Sequence, residues 1–495
     1  MWKKKRPTNS NQPLRHENHA KPVTRRQFLA QGFLTGSAMI TAPSLLSFFA
    51  SPSTALAQAA DCGLATPVAG KIPFIGFDLA GGASIAGSNV LVGGRGGQLD
   101  FLSAAGYEKL GLPASMLPSV AGQIDTSLGL AFHADSAILR GILSKASAGT
   151  LANTNGAVIA ARSENDTGNN PHNPIFGIAR AGAAGQLVTL IGTRSSDSGG
   201  RSRAPDSQFD ATLRPTKVDR PEDALGLVDT GSTNAQEQAD TARVMQAIEQ
   251  ISALKVAKLT EAQVVKSLLS CGYAQSAALV SQFGDPTQLD PRLDTRIAQI
   301  FPGDQITQDK FRKTAAVMKL VLNGFAGAGT VEFGGYDYHN STRATGEIRD
   351  FEAGQAIGAT LEYAAQLGKP LMVYVFSDGS VASNGEVDDS DDGRNKLIWK
   401  GDNSSTASVF FLVYNPAGRA QLTSPAAQQL GYFRPDGSLE TAATPISNNV
   451  DQLAEAIVLN YLALNNEVGR FAQVLPNATL PGSSLNSLIS FQPIV

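Results

Sequence analysis

Two stretches decide the fold: residues 331–340, VEFGGYDYHN, and residues 369–393, KPLMVYVFSDGSVASNGEVDDSDDG. Each has the pattern of a strand that runs into a loop of oxygen and nitrogen ligands, and the helix-like residues 346–367 lie between them. This β–α–β order is typical of a parallel sheet, whose ligands gather beyond the carboxyl ends of the strands. We therefore expect the polar residues that follow the two strands to share one crevice.

The composition suits a large α/β domain. The chain has 495 residues, of which 42% are hydrophobic, and this is ample for a sizeable core. Strand and helix patterns alternate from residue 72 onward, so we expect a single domain over residues 72–495. A helical block at about residues 234–322 is predicted to be an insertion that packs on the sheet or caps the site.

The first 57 residues have the pattern of an export signal. Eight basic residues stand against the single acid Glu17, an uncharged run follows, and Ala55-Leu56-Ala57 supplies small residues for cleavage. Residues 24–29, TRRQFL, match the twin-arginine pattern. The alternative is a membrane anchor, but Gly, Ser, Thr and Pro dilute the apolar run.

We accordingly predict a twin-arginine signal peptide at residues 1–57 and a flexible arm at residues 58–71. The mature chain is then periplasmic or secreted, with no membrane span. Removing eight basic residues and one acidic residue changes the formal net charge from −3 to −10. Nucleic acid is excluded as a partner because phosphate binding needs clustered Lys and Arg. Cys62 and Cys271 form either one disulfide or two free thiols.

Two further loops follow predicted strands. Residues 72–79, IPFIGFDL, carry Asp78 near their end and open into the glycine loop AGGASIAGSN, which is either a ligand loop or a plain turn. The strand-like residues 156–161 lead into the polar loop RSENDTGNNPHNP, which contains His172. Its position after a strand makes His172 a functional candidate, although a lone histidine is more often a hydrogen-bonded loop residue.

A divalent metal ion is the chemistry that these residues favour. Asp337 and His339 alternate in an extended segment, so both side chains point the same way and can bind one ion. Asp378 and Asp78 can reach the same crevice from the neighbouring strands. Carboxylate and imidazole ligands suit zinc, calcium, magnesium or manganese, which the sequence does not distinguish. Such an ion activates water or binds a phosphoryl or sulfuryl oxygen.

The acidic loop at residues 386–393 offers a second metal hypothesis. Asp388 and Asp392 fit the opening of a calcium loop, but Trp399 stands where the closing Glu belongs. A solvated acidic loop and a structural calcium clip are the two interpretations.

Four features together resemble the DUF1501 family of exported proteins, which is grouped with the alkaline-phosphatase and sulfatase superfamily. They are the twin-arginine leader, LAGGAS after the first strand, Gly335-Tyr336-Asp337-Tyr338-His339, and the strand that ends in Ser-Asp-Gly. The resemblance implies an alkaline-phosphatase-like three-layer α/β/α sandwich with a mostly parallel central sheet. It also implies metal ligands that match Asp78, Asp337, His339 and Asp378.

The chain departs from the family at several of these positions. Ser84 stands where the glycine loop usually carries Asp, and Asn170-Pro171-His172 replaces an Arg-Ser-His segment. No histidine follows His339, although two-metal phosphatase sites draw on several. Thr167, Ser163 and Ser84 are the candidate nucleophiles.

The leading hypothesis is a metal-dependent hydrolase of phosphate or sulfate esters, in which His172 positions the substrate or leaving group. A loop hydroxyl or an activated water then attacks, and the substrate is a small-molecule ester. The alternative is a non-catalytic protein of the cell envelope that keeps the fold with a depleted metal site and binds or assembles with an envelope protein.

Overall fold

The strands form where apolar side chains alternate between two faces. In β1 (Phe74–Ala80), Ile75 and Phe77 pack in one hydrophobic core, whereas Phe74 packs in another on the opposite face. The same alternation runs through β8 (Leu371–Phe376) and β11 (Ser408–Tyr414), whose residues are all buried. Because both faces are apolar, helices must cover both sides of the sheet.

The computed structural model describes residues 71–163, 171–227, 286–340 and 343–495. The predicted signal peptide, residues 58–70 of the arm and both cysteines lie outside these ranges, as do Thr167 and residues 234–285 of the predicted helical block.

Besides β1, β8 and β11, the central sheet contains β4 (Thr154–Ala160), β5 (Val188–Gly192), β6 (Thr216–Lys217), β7 (Ala326–Gly334) and β12 (Gln429–Leu430). These eight strands of the described residues lie in the order β12-β4-β11-β8-β1-β7-β5-β6. Strand β11 runs antiparallel to its neighbours, and the other seven share one direction. The carboxyl ends of these seven strands therefore meet along one edge.

Helices pack on both faces of this sheet. The first face is covered by α2 (Ala137–Leu143), α7 (Asp309–Leu322) and α8 (Arg343–Leu367), and the second by α4 (Ile175–Arg180), α9 (Val450–Leu464) and α10 (Phe471–Val474). The described ranges also contain the helices α1 (Ala104–Lys109), α3 (Ala148–Ala152), α5 (Pro221–Gly226) and α6 (Thr295–Ile300). No helix among the described residues combines the length and the apolarity needed to cross a membrane.

In the described part of the chain, two antiparallel hairpins lie outside the central sheet. One pairs β2 (Ile124–Asp125) with β3 (Phe132–His133), and the other pairs β9 (Val381–Asp388) with β10 (Lys396–Asp402). The second hairpin occupies the region predicted to be an acidic loop. Its turn contains Asp392-Gly393, a dipeptide that is common in hairpin turns.

The predicted unit of strand, helix and strand is confirmed: β7, α8 and β8 follow one another, and β1 lies between the two strands. The described residues thus form a mixed α/β fold with a large, mostly parallel central sheet. Within the predicted helical block, the described residues contain α6 and α7.

Candidate functional site

The carboxyl ends of β1, β7 and β8 lie side by side. Ala80 pairs with Gly334 at the end of β1 and β7, and Asp78 pairs with Phe376 at the end of β8. The loop after β7 continues past β1, because the Tyr336 N–H donates a hydrogen bond to the Ala80 carbonyl. This register brings the polar residues after the three strands to one edge, as the sequence predicts.

Asp337 and His339 converge there with a third residue, Asp402. Nδ1 of His339 lies 2.6 Å from Oδ1 of Asp337 and 3.0 Å from Oδ1 of Asp402. One ligand atom from each residue lies within 4.8 Å of the others. Two carboxylates and one imidazole form a possible divalent-metal site, which we call the edge triad.

The local sequence explains why Asp337 and His339 face outward. Gly335 turns the chain after β7 with a φ of 87°, a conformation that favours glycine. Tyr336 and Tyr338 are then buried, and the Tyr338 hydroxyl accepts a hydrogen bond from the Ser84 N–H. The intervening Asp337 and the following His339 therefore remain accessible, with 58% and 23% of their side chains exposed.

Asp402 was not among the predicted ligands. It ends β10 and pairs with Val381 at the start of β9, so the hairpin folds back toward the edge of the sheet. Its side chain is 46% exposed. The position of the hairpin over the sheet edge depends on tertiary packing, so the local sequence does not assign Asp402 to the site.

The geometry around His339 fits a metal ligand. Nδ1 is buried and has no hydrogen-bond partner among the described residues, although the two carboxylate oxygens lie within 3.0 Å. These oxygens are close to the nitrogen but are not aligned with an N–H donor direction. Three electron-pair donors that converge in this way suit a divalent ion, and the donor set does not choose among zinc, calcium, magnesium and manganese.

Asp78 has a different environment, although its strand lies next to β7. It is fully buried, and its two oxygens accept hydrogen bonds of 2.8 Å from the N–H and the hydroxyl of Ser202. Burial, and secondarily the charge of Asp378, raise the pKa of Asp78 to about 7. The carboxyl group of Asp78 thus anchors the loop that contains Ser202.

Asp378 is also fully buried. Its Oδ1 accepts a hydrogen bond of 2.6 Å from the Gly81 N–H, and its Oδ2 lies 3.8 Å from Nε of Arg201. Within the described ranges, the edge triad is the group of carboxylate and imidazole ligands that converges, and neither Asp78 nor Asp378 belongs to it. The structure therefore brings together Asp337 and His339 from the predicted set of four ligands, and the assignment of the other two stays a prediction.

The predicted catalytic residues are buried where the structure describes them. His172 is 1% exposed, neither of its ring nitrogens has a hydrogen-bond partner in the part of the chain that the structure describes, and burial lowers its pKa to about 3. Its imidazole is therefore neutral near pH 7. Ser84 is 3% exposed and its N–H donates a hydrogen bond to the Tyr338 hydroxyl, whereas Thr167 lies outside the described residues.

The acidic loop does not form a group of three converging ligands in the part of the chain described. Oδ1 of Asp388 accepts hydrogen bonds from the N–H and the hydroxyl of Ser390, and Oδ2 accepts one from the Ala344 N–H. Trp399 is 2% exposed and stacks on the Arg343 guanidinium at 4.4 Å.

The chain matches no protein-family model, and it matches no curated protein.

Proposed function

We propose that the protein is an exported, metal-dependent hydrolase of phosphate or sulfate esters with an alkaline-phosphatase-like fold. The observation that carries the proposal is the edge triad: Asp337, His339 and Asp402 converge at the carboxyl edge of a mostly parallel sheet. That edge is where α/β folds bind their ligands. The helices on both faces of the sheet are compatible with the proposed sandwich, and the leader pattern supports export.

Each residue then has a distinct part. Asp337, His339 and Asp402 hold the ion, and a divalent ion in such a site supplies Lewis-acid stabilisation of the ester oxygens. Asp378 fixes the Gly81 backbone beside the Asp337 backbone, and Asp78 fixes the loop at Ser202. His172 is neutral near pH 7, and orienting a substrate or leaving-group oxygen requires that its buried imidazole become accessible.

The second candidate function is binding or assembly at the cell envelope without catalysis. The burial of His172 and Ser84 favours it, because a nucleophile or proton donor must contact the substrate. In this alternative the edge triad holds an ion that orders the loops after β7 and β10.

The test is turnover of aryl phosphates and aryl sulfates by protein loaded separately with each of the four ions. Hydrolysis predicts that Asp337→Ala, His339→Ala and Asp402→Ala abolish turnover while the protein stays folded. Asp389→Ala is the matched control, because Asp389 is an exposed acid in the β9–β10 turn outside the triad. Rates unchanged in the triad variants would reject the site, and no turnover with any ester would favour the binding function.

A further inference from the structure

The edge triad is assembled from two segments of the chain. The loop after β7 supplies Asp337 and His339, whereas the end of β10 supplies Asp402. Among the described strands, β7 belongs to the central sheet and β10 to a separate hairpin, so backbone pairing does not join the two. Side chains must therefore hold the two segments at the distance that one ion requires.

The two segments meet on α8, at Gly346. A Cβ atom at this position would lie 3.1 Å from Cε2 of Tyr338 and 3.2 Å from Nε1 of Trp399. Tyr338 lies between the two ligands of the first segment, and Trp399 lies three residues before Asp402 in the second. Because glycine has no side chain, an aromatic ring from each segment can contact the same turn of the helix.

Trp399 is also fixed by buried groups on its other sides. The guanidinium carbon of Arg343 lies 4.4 Å from the centre of the indole ring, which is a cation–π contact. Nη2 of Arg343 donates a hydrogen bond of 2.7 Å to Oε1 of Glu347, and this bond holds the guanidinium in place. A Cβ atom on Gly111 would lie 2.5 Å from Cη2 of Trp399 and from Nη1 of Arg343. The indole therefore has one closely packed position, which also sets the course of β10 toward its end.

We propose that Trp399, held by Arg343 and Gly346, is a positioning residue that brings Asp402 into the edge triad. Neither Trp399 nor Arg343 belongs to the triad, so both act on the ion through the course of β10. The coupling is reciprocal, because an ion that joins Asp402 to His339 also restrains the indole ring. The inference rests on the proposed metal site and does not require that the protein hydrolyse esters.

The first test replaces the indole and measures metal affinity. Trp399→Leu removes the stack but keeps an apolar side chain, and it should weaken binding of the tightest of the four ions at least about tenfold. Trp399→Phe keeps a ring that can stack on Arg343, and it should restore the affinity to within about threefold of the wild type. Calorimetry on the full chain measures the affinity, at a temperature at which circular dichroism shows both variants to be folded. Wild-type affinity in a folded Trp399→Leu, or equal losses in the two variants, would overturn the proposal.

The second test uses Trp399 as a reporter of the ion. The chain has two tryptophans, Trp2 and Trp399, so Trp2→Phe leaves one fluorophore of this kind. Titration of this variant with zinc, magnesium or calcium, which are diamagnetic, should change the Trp399 emission along the binding curve that calorimetry gives. Asp402→Ala should remove the change. Metal binding with unaltered emission would overturn the coupling between the indole and the triad.

The third test leaves the aromatic side chains in place. Gly346→Ala puts a methyl group against the Tyr338 and Trp399 rings, so at least one ring must shift, and metal affinity should fall at least about threefold. Gly149→Ala is the matched control, because Gly149 is also helical and its Cβ would meet no atom within 4 Å. Wild-type affinity in both glycine variants would overturn the proposed support by α8. The absence of metal binding by the wild type would overturn the edge triad as well, whereas metal binding that is indifferent to Trp399 would overturn this inference alone.

Discussion

Two sets of acidic residues lie at the same edge of the sheet in opposite environments. Asp337 and Asp402 are 58% and 46% exposed, and they approach His339 without forming hydrogen bonds to it. Asp78 and Asp378, at the ends of β1 and β8, are fully buried and accept hydrogen bonds from the protein. The residue type is shared, but the exposure of the side chains is not.

The difference shows how one sheet edge can carry two roles. A carboxylate oxygen that accepts a backbone N–H holds a loop in place and has fewer lone pairs left for an ion. A carboxylate that converges with an imidazole in accessible space is suited to metal binding. We therefore expect the buried pair to position backbone and the edge triad to be the group that binds an ion.

The largest expected contrast is in stability. Asp378→Ala should lower the free energy of unfolding by about 2–3 kcal/mol, because it leaves the buried Gly81 N–H without an acceptor. Asp402→Ala should change it by less than about 0.5 kcal/mol, because the side chain is accessible to solvent. Urea unfolding of the metal-free variants and wild type measures the change in the free energy of unfolding for each substitution. An equal loss of stability in Asp378→Ala and Asp402→Ala would contradict the proposed difference between the buried and the exposed acids.

A smaller effect is expected at Gly81, which connects the two sets. Gly81 has a φ of 121°, and a Cβ atom there would lie 2.8 Å from the Asp337 backbone nitrogen. Gly81→Ala should therefore cost about 2 kcal/mol of stability and also weaken metal binding, since Asp337 must move.

Gly97→Ala is the matched control for this substitution. Gly97 also has a positive φ, of 99°, but its Cβ would meet no atom within 4 Å. The Gly97→Ala variant should lose stability through backbone strain alone and bind metal with the affinity of the wild type. Unchanged metal binding in Gly81→Ala would show that the two sets are not coupled through this residue.

The pH dependence of stability extends the comparison to Asp350, another buried carboxyl group. Because burial raises its pKa to about 7 in the folded protein, the folded state binds this proton more tightly than the unfolded state does. Wild-type stability should thus fall, relative to Asp350→Asn, as the pH rises from about 4 to about 7, by about 1 kcal/mol or more.

Chemical denaturation of both proteins across this range measures the difference. The Asn side chain keeps an acceptor for the Asn89 amide, so the variant isolates the charge. The profile should be insensitive to added salt, since burial and not surface charge causes the shift. A constant difference between pH 4 and 7 would contradict a buried, proton-binding Asp350.

The sequence predicted the parts of the site that depend on local pattern. Buried strands on either side of a helical stretch predicted β7, α8 and β8, and the alternation of Asp337 with His339 predicted that the two side chains share one side. Asp402 could not be assigned in this way, because it reaches the edge only through the packing of the β9–β10 hairpin. The role of Asp78 depends on Ser202, which is 124 residues away in the chain.

Metal titration of chelator-treated protein tests the central claim most directly. Calorimetry with zinc, manganese, magnesium and calcium should detect about one ion per chain for at least one of these metals. Asp402→Ala and His339→Ala should weaken that binding at least about a hundredfold, whereas the conservative variant Asp378→Asn should bind like the wild type. Wild-type affinity in Asp402→Ala, or loss of binding in a folded Asp378→Asn, would contradict the assignment of the edge triad as the metal site.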